Sequence, residues 1–245
     1  MSEDEKSWSL AYSHFRRPHT SIIKLLACDI DICCSRLGNI NILDLGCGTG
    51  NYAKSLSTIT NNPIYCLDKS EHMLSFIAER YSLHPIKINC NKDFNISDIK
   101  FGYVYCINAI HYIADIEKLF SRISKMLDKK GQIFIATRTQ ESLKNQTLGL
   151  FFPDTIPEES SMLHSIDSIV TNLKLAGFQD ITIDSLVVER ELCVEPFEFK
   201  SYFALQRISD NSFLEGLEKL KSAINLRKEK YRTYYTIVRG KLCYD

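Results

Sequence analysis

Between residues 20 and 37 apolar side chains recur every three or four positions: Ile22, Ile23, Leu25, Leu26, Ile30, Cys33, Cys34 and Leu37. That spacing predicts an amphipathic helix, and Gly38 stands where its cap belongs. The period then shortens. Residues 40–45 form a short apolar run that predicts a strand, followed by a glycine-rich turn and a helix to about residue 58. Residues 63–67 predict a second strand, and Ser70 is placed to cap a helix over residues 71–81. Residues 85–89 and 104–108 are the third and fourth strands. An amphipathic helix over residues 116–127 ends at Lys129, Lys130 and Gly131, and residues 132–137 are strand five.

Past Thr139 the pattern loosens. Residues 141–163 carry Phe151, Phe152 and Pro153 but no clear period. Residues 166–176 read as a helix closed by Gly177, and residues 180–188 as extended chain. Residues 198–230 are largely helical in pattern, and residues 234–239 form a last strand. Short apolar strands alternating with helices predict an α/β fold: a Rossmann-like, doubly wound, mostly parallel seven-stranded sheet with helices on both faces. The looser stretches are expected to form a helical cover over the sheet's C-terminal edge, where open α/β sheets bind ligands.

With 245 residues the chain fits one large α/β domain, and 44% hydrophobic residues can bury a substantial core. Thirty basic residues balance thirty acidic ones, so no global field draws in nucleic acid. The first ten residues are polar and acidic, unlike a secretory signal, and no apolar run is long enough to span a bilayer. A cytoplasmic protein is expected. Nine cysteines, an odd number with no C-x-x-C pair, suggest reduced thiols rather than disulfides or metal ligands. Lys219, Lys221, Arg227, Lys228, Lys230 and Arg232 alternate with Glu215, Glu218 and Glu229, which favours a solvated face over a nucleic-acid patch. Phe151, Phe152, Tyr202, Phe203 and Phe213 fit ordinary core better than a substrate pocket.

The most informative segment is Asp44-Leu45-Gly46-Cys47-Gly48-Thr49-Gly50, which follows a buried strand and opens a helix. Glycines there admit positive φ and let a ligand approach the backbone. A dinucleotide loop would need glycine where Asn51 stands, and no phosphate-binding G-K-[ST] follows. Asp68 closes the second strand 22 residues after Gly46, where a carboxylate can accept from two vicinal ribose hydroxyls.

The acid followed by G-x-G-x-G resembles the first motif of class I S-adenosylmethionine-dependent methyltransferases, of the type-11-like branch. The segment from Leu67 to Leu74 resembles that family's second motif. The resemblance implies a cofactor, S-adenosylmethionine, with S-adenosylhomocysteine as its product. It implies that Asp44, Gly46, Cys47, Gly48, Gly50 and Asn51 cradle the methionine part. Asp68 and Lys69 would then lie at the ribose, with Met73 on the adenine. The family's acid after strand three is replaced by Cys90, leaving Asn91 as the candidate adenine contact, and the acid opening strand four is replaced by Gly102. Asn108 and His111 end strand four above the expected methyl position, with His111 the candidate catalytic base. Tyr12-Ser13-His14-Phe15-Arg16-Arg17-Pro18 resembles the family's N-terminal arm, in which Tyr12 and Arg17 would close over cofactor and substrate.

The implied organisation is one methyltransferase domain over residues 1–245. Residues 1–37 are the arm and first helix, 38–138 the cofactor-binding half, and 139–245 the substrate cover and last strands. The implied activity is methyl transfer to a small-molecule nucleophile by a monomer or homodimer, with no metal. Neither the Asn-Pro-Pro-Tyr of base and amide methyltransferases nor the Pro-Cys of cytosine enzymes is present, which weakens a nucleic-acid role. A catalytically silent cofactor-binding protein and an RNA- or protein-directed methyltransferase stay open as alternatives.

Overall fold

The computed structural model describes residues 3–78, 82–92, 94, 96, 99–226 and 229–242, with side chains from Trp8 onward. Its first elements are α1 (Glu3–Phe15), α2 (Thr20–Leu37), β1 (Ile42–Leu45), α3 (Asn51–Leu56), β2 (Ile64–Asp68), α4 (Glu71–Leu74) and β3 (Leu83–Lys87). Then come β4 (Phe101–Ile107), α5 (Ile116–Met126), β5 (Leu127–Thr137), α6 (Gln140–Asn145), α7 (Thr147–Phe151) and α8 (Ile156–Met162). The last are α9 (Ile166–Leu175), β6 (Phe178–Arg190), α10 (Glu195–Glu198), α11 (Asp210–Asn225) and β7 (Tyr231–Leu242).

The strands form one seven-stranded sheet in the order β3-β2-β1-β4-β5-β7-β6. The pairs β1–β2, β1–β4, β2–β3 and β4–β5 are parallel and β5–β7 is antiparallel. The expected mostly parallel α/β sheet is thus what the chain builds.

The chain divides into two compact units. The larger comprises Pro18–Thr137, His164–Asp184 and Thr236–Asp245. In it, side-chain alternation along the strands sends two sets of residues to opposite faces. Leu43, Leu45, Leu67, Val104, Cys106, Ile133 and Ile135 bury against Leu119, Phe120 and Ile123 of α5 and Ile169 and Leu173 of α9. On the other face the Tyr103 hydroxyl donates to Asp29 of α2 at 3.1 Å, and Arg239 of β7 donates to the same carboxylate oxygen at 2.8 Å. Asp29 is buried, so this pairing is what lets a carboxylate sit beneath the sheet.

The smaller unit comprises Met1–Arg17, Arg138–Leu163 and Ser185–Tyr235. Its core includes Leu148, Phe152, Phe197, Tyr202, Leu205, Phe213 and Leu220, with Phe152 stacked on Phe197 and Phe213. Phe152, Tyr202 and Phe213 are therefore core. One boundary between the units falls between Thr137 and Arg138. Residues 1–17, however, fall in the smaller unit and residues 164–184 and 236–245 in the larger.

Several elements differ from the sequence expectation. The N-terminal arm is helical through Phe15. The helix expected over residues 71–81 is α-helical only over Glu71–Leu74, though Ser70 does cap it by accepting the Met73 N–H; residues 79–81 lie outside the described residues. Strand five starts at Leu127, because Leu127 pairs with Phe101 before the register shifts. Lys130 takes a positive φ of 69° within that shift. Residues 141–163 hold three short helices, and the last strand already begins at Tyr231. Eight cysteines are free thiols, Cys28 and Cys193 exposed; Cys243, like Arg227 and Lys228, lies outside the described residues.

Candidate functional site

Strand β1 is buried along its whole length and delivers the chain to the turn at residues 46–50. Gly46, Gly48 and Gly50 take φ of 73°, 56° and 72°, so the turn uses the left-handed region three times in five residues. Gly46 has a second reason to lack a side chain: a Cβ there would lie 2.4 Å from that of Ala109. The N–H groups of Gly46 and Cys47 both donate to the Leu67 carbonyl, at 2.8 and 2.9 Å. Asn51 is the first residue of α3, with Gly50 as its cap.

Asp68 anchors this turn from the end of β2. One carboxylate oxygen accepts the Gly48 N–H at 2.9 Å, and the other accepts the Ser70 N–H at 2.9 Å. The carboxylate thus joins the glycine turn to the start of α4, where Met73 is buried and Lys69 exposed. Each oxygen keeps a lone pair for a further donor.

Asp44 is only 4% exposed and pairs across the sheet with Cys66 and Tyr105. Burial pushes its carboxyl up to about 8, against the pull of the Tyr105 hydroxyl and with an added push from the charge of Asp68. Tyr105 was not singled out from the sequence. Its signal was its place on a strand buried on both faces, directly opposite the acid.

The two departures from the family pattern have structural counterparts. Gly102 lies so close to Ile40 that a Cβ would meet its Cγ2 at 2.4 Å, leaving no room for an aspartate in this packing. The Cys90 thiol is half-buried and is pushed up to about 11 by burial and then by the charge of Asp68. It stays protonated and supplies no charge. Asn91 spends its amide on the backbone of the next loop, donating to the Tyr112 carbonyl at 2.9 Å and accepting from Ala114 N–H at 2.7 Å. It therefore holds together the loops after β3 and β4.

At the end of β4, Asn108 takes a positive φ of 51°, with its N–H donating to the Ala136 carbonyl at 2.9 Å. The turn it makes leads into a short 3₁₀ segment, Ile110–Tyr112, that carries His111. His111 is buried, its ring 4.1 Å from that of Tyr112. Asp44, Gly46, Cys47, Gly48, Gly50, Asn51, Asp68, Lys69, Met73, Asn91, Asn108 and His111 all belong to the larger unit.

Tyr12 and Arg17 belong to the smaller unit. The Tyr12 ring lies 5.5 Å from that of Trp8, and Arg17 is exposed. The arginine drawn into the aromatic interior is its neighbour Arg16, whose guanidinium lies over Tyr202 at 4.3 Å.

Residues 42–131 match the family of the methyltransferase domain. The chain is 26% identical to phosphoethanolamine N-methyltransferase 3 of Arabidopsis thaliana over 186 residues, which cover 69% of this chain and 36% of that protein. It is 25% identical to malonyl-[acyl-carrier protein] O-methyltransferase 1 of Ilyobacter polytropus over 211 residues, covering 82% and 72%. The chain thus spans about a third of the length of the first curated relatives it matches. Among solved structures it resembles a methyltransferase from an Anabaena variabilis antibiotic biosynthesis pathway, with a TM-score of 0.68, 17% identity and coverage of 93% and 99%. It also resembles phosphoethanolamine N-methyltransferase 2 of Haemonchus contortus in complex with S-adenosylhomocysteine, with a TM-score of 0.54, 18% identity and coverage of 87% and 52%.

Proposed function

We propose that this chain is a class I methyltransferase that binds S-adenosylmethionine at residues 44–51 and 68–73 and transfers its methyl group to a small-molecule nucleophile. One observation carries the reading. The Asp68 carboxylate is hydrogen-bonded to the middle glycine of a turn made of three positive-φ glycines, beside a buried Asp44. The donor set suits the ligand. The buried Asp44 carboxyl can give up its proton to face a molecule that carries an ammonium and a sulfonium, and Asp68 retains acceptor capacity for ribose hydroxyls. Asn91 contributes by fixing the loop around the adenine position, and Lys69 and Asn51 border the site.

When bound, S-adenosylmethionine supplies a methyl on a good leaving group. The chain's own tasks are to position the acceptor in line and to remove its proton. His111 is the residue that would accept that proton from the acceptor. The relatives named for phosphoethanolamine support a metabolite-sized acceptor. We place the protein in the cytoplasm, as a monomer or homodimer; no helix among the described residues is long and apolar enough to cross a membrane.

The test is incubation with methyl-labelled cofactor and a metabolite extract, with the labelled product identified by mass spectrometry. A labelled small molecule whose formation needs the protein is expected. Cofactor binding without any labelled product would favour the silent binder, and label confined to RNA or protein would overturn the small-molecule acceptor.

A further inference from the structure

Between the end of β4 and the start of α5 the backbone does little to fix itself. After the turn at Asn108 it makes one short 3₁₀ segment, Ile110–Tyr112. Two bonds close that segment from within: the Tyr112 N–H donates to the Ala109 carbonyl at 3.0 Å, and the Ile113 N–H to the Ile110 carbonyl at 3.1 Å. A single turn of this kind does not hold its own place. It nevertheless carries His111, and a group that exchanges a proton with a bound molecule has to be held to about 0.5 Å.

The hold comes from two remote side chains, at three consecutive residues. Asn91 Nδ2 donates to the Tyr112 carbonyl at 2.9 Å, His164 Nε2 lies 2.7 Å from the Ile113 carbonyl, and Asn91 Oδ1 accepts the Ala114 N–H at 2.7 Å. A carbonyl only accepts, so His164 Nε2 carries the hydrogen and donates it. Both side chains are themselves anchored. The Asn91 N–H donates to Asn89 Oδ1 at 3.0 Å, and the carbonyl of the adjoining Lys92 accepts from Arg122 of α5 at 2.8 Å. His164 directly precedes Ser165, whose hydroxyl caps α9 by accepting the Ser168 N–H at 3.1 Å. Helix α9 is in turn fixed by Ile169 and Leu173, which share the core of Leu119, Phe120 and Ile123. All these residues belong to the larger unit.

We propose that His164 and Asn91 are positioning residues for His111. They act through the backbone of residues 112–114 and set where the imidazole just before that stretch stands. The sequence had singled out Asn91 for the adenine and had not singled out His164; the fold gives the two one task. That His111 does chemistry rests on the methyl-transfer reading above. The clamp on its turn does not.

The test uses the full chain and the variants His164→Ala, His164→Gln and Asn91→Ala. In His164→Ala the amides of Tyr112 and Ile113 should exchange with solvent about tenfold faster, the worth of one hydrogen bond, and the ring signals of His111 in the nitrogen-15 spectrum should shift. Label transfer from S-adenosylmethionine to a metabolite extract should fall about tenfold or more per folded molecule, since small displacements of a reacting group are costly. Affinity of the His164 variants for S-adenosylhomocysteine should stay within about twofold of the wild type. Glutamine places an N–H donor where Nε2 stood, so His164→Gln should recover most of each loss. Should His164→Ala fail to fold, Asn91→Ala and His164→Gln still decide. Wild-type His111 signals and exchange rates in both alanine variants overturn the proposal. So does a loosened turn with undiminished label transfer, or a lowered denaturation midpoint as the sole change. A wild type that ignores S-adenosylhomocysteine, with the His111 signals still shifting in the variants, would sink the methyl-transfer reading and leave the clamp standing.

Discussion

The carboxylate of Asp68 accepts the backbone N–H of Gly48 at 2.9 Å, so the acid ending β2 and the glycine turn after β1 form one device. Asp68→Ala removes this bond, the one to Ser70 and the proposed ribose contacts together. Calorimetry with S-adenosylhomocysteine should show a loss of about 2–4 kcal/mol, with about 1–2 kcal/mol of stability lost alongside. Asp68→Asn keeps one oxygen acceptor and should fall between. Unchanged affinity in a folded Asp68→Ala protein would show that the ribose is held elsewhere.

His111→Ala separates chemistry from scaffold. It should leave cofactor affinity nearly intact and lower turnover about 10²–10⁴-fold, the usual worth of a positioned base. The ascending limb of the wild type's rate against pH should disappear with it. Wild-type turnover in the mutant would leave proximity and a pre-ionised acceptor to carry the reaction.

Asp44 makes stability pH-dependent, with a defined sign. Its unfolded carboxyl titrates near 3.9 by the general value for aspartate, and its folded one at about 8. Between those values the folded chain holds a proton that the unfolded chain has released, so stability falls as pH rises through the window. The urea midpoint should drop from pH 5 to pH 8, and Asp44→Asn should remove much of that drop. A slope unaffected by the substitution would assign it to other groups.

The same acid ties ligand binding to protons. A ligand bringing an ammonium beside Asp44 favours its ionised form, so binding near neutral pH should release a proton. Binding heats measured in buffers of different ionisation enthalpy would show the release, and Asp44→Asn should abolish it.

Gly46 and Ala109 can be tested as a pair. Gly46→Ala meets two penalties: a left-handed backbone, about 1–2 kcal/mol, and overpacking against Ala109, about 1–3 kcal/mol. Ala109→Gly should recover only the second in the double mutant. Denaturant unfolding of both singles and the double measures this coupling.

The site was legible where chemistry and chain order coincide. The Gly46, Gly48, Gly50 and Asp68 pattern depends on spacing along one βα unit, and α2 announced itself by its stripe and by Gly38. Helix α1 did not, because what holds it is remote: Phe15 stacks on Phe199 at 5.1 Å and Trp8 packs on Phe203 at 5.7 Å. No local period records such partners. The start of β5 was hidden for a similar reason, since Lys129, Lys130 and Gly131 look like a helix ending while Leu127 already pairs with Phe101. Arg16 passed unremarked beside Arg17 because only the fold distinguishes the buried guanidinium from the exposed one.

The antiparallel pairing of β5 with β7 sets a problem of timing. Thr137 lies opposite Thr236, so about a hundred residues of chain separate the two sides of that ladder. Closing so long a loop costs entropy before any bond repays it, and contacts of such sequence separation form slowly. Until β7 arrives, β5 presents an open, apolar strand edge, with Ile133, Phe134, Ile135 and Ala136 along it. Such an edge is a template for another copy of the chain. A chain whose parallel strands had joined before the last strand docked would therefore be the form most exposed to self-association.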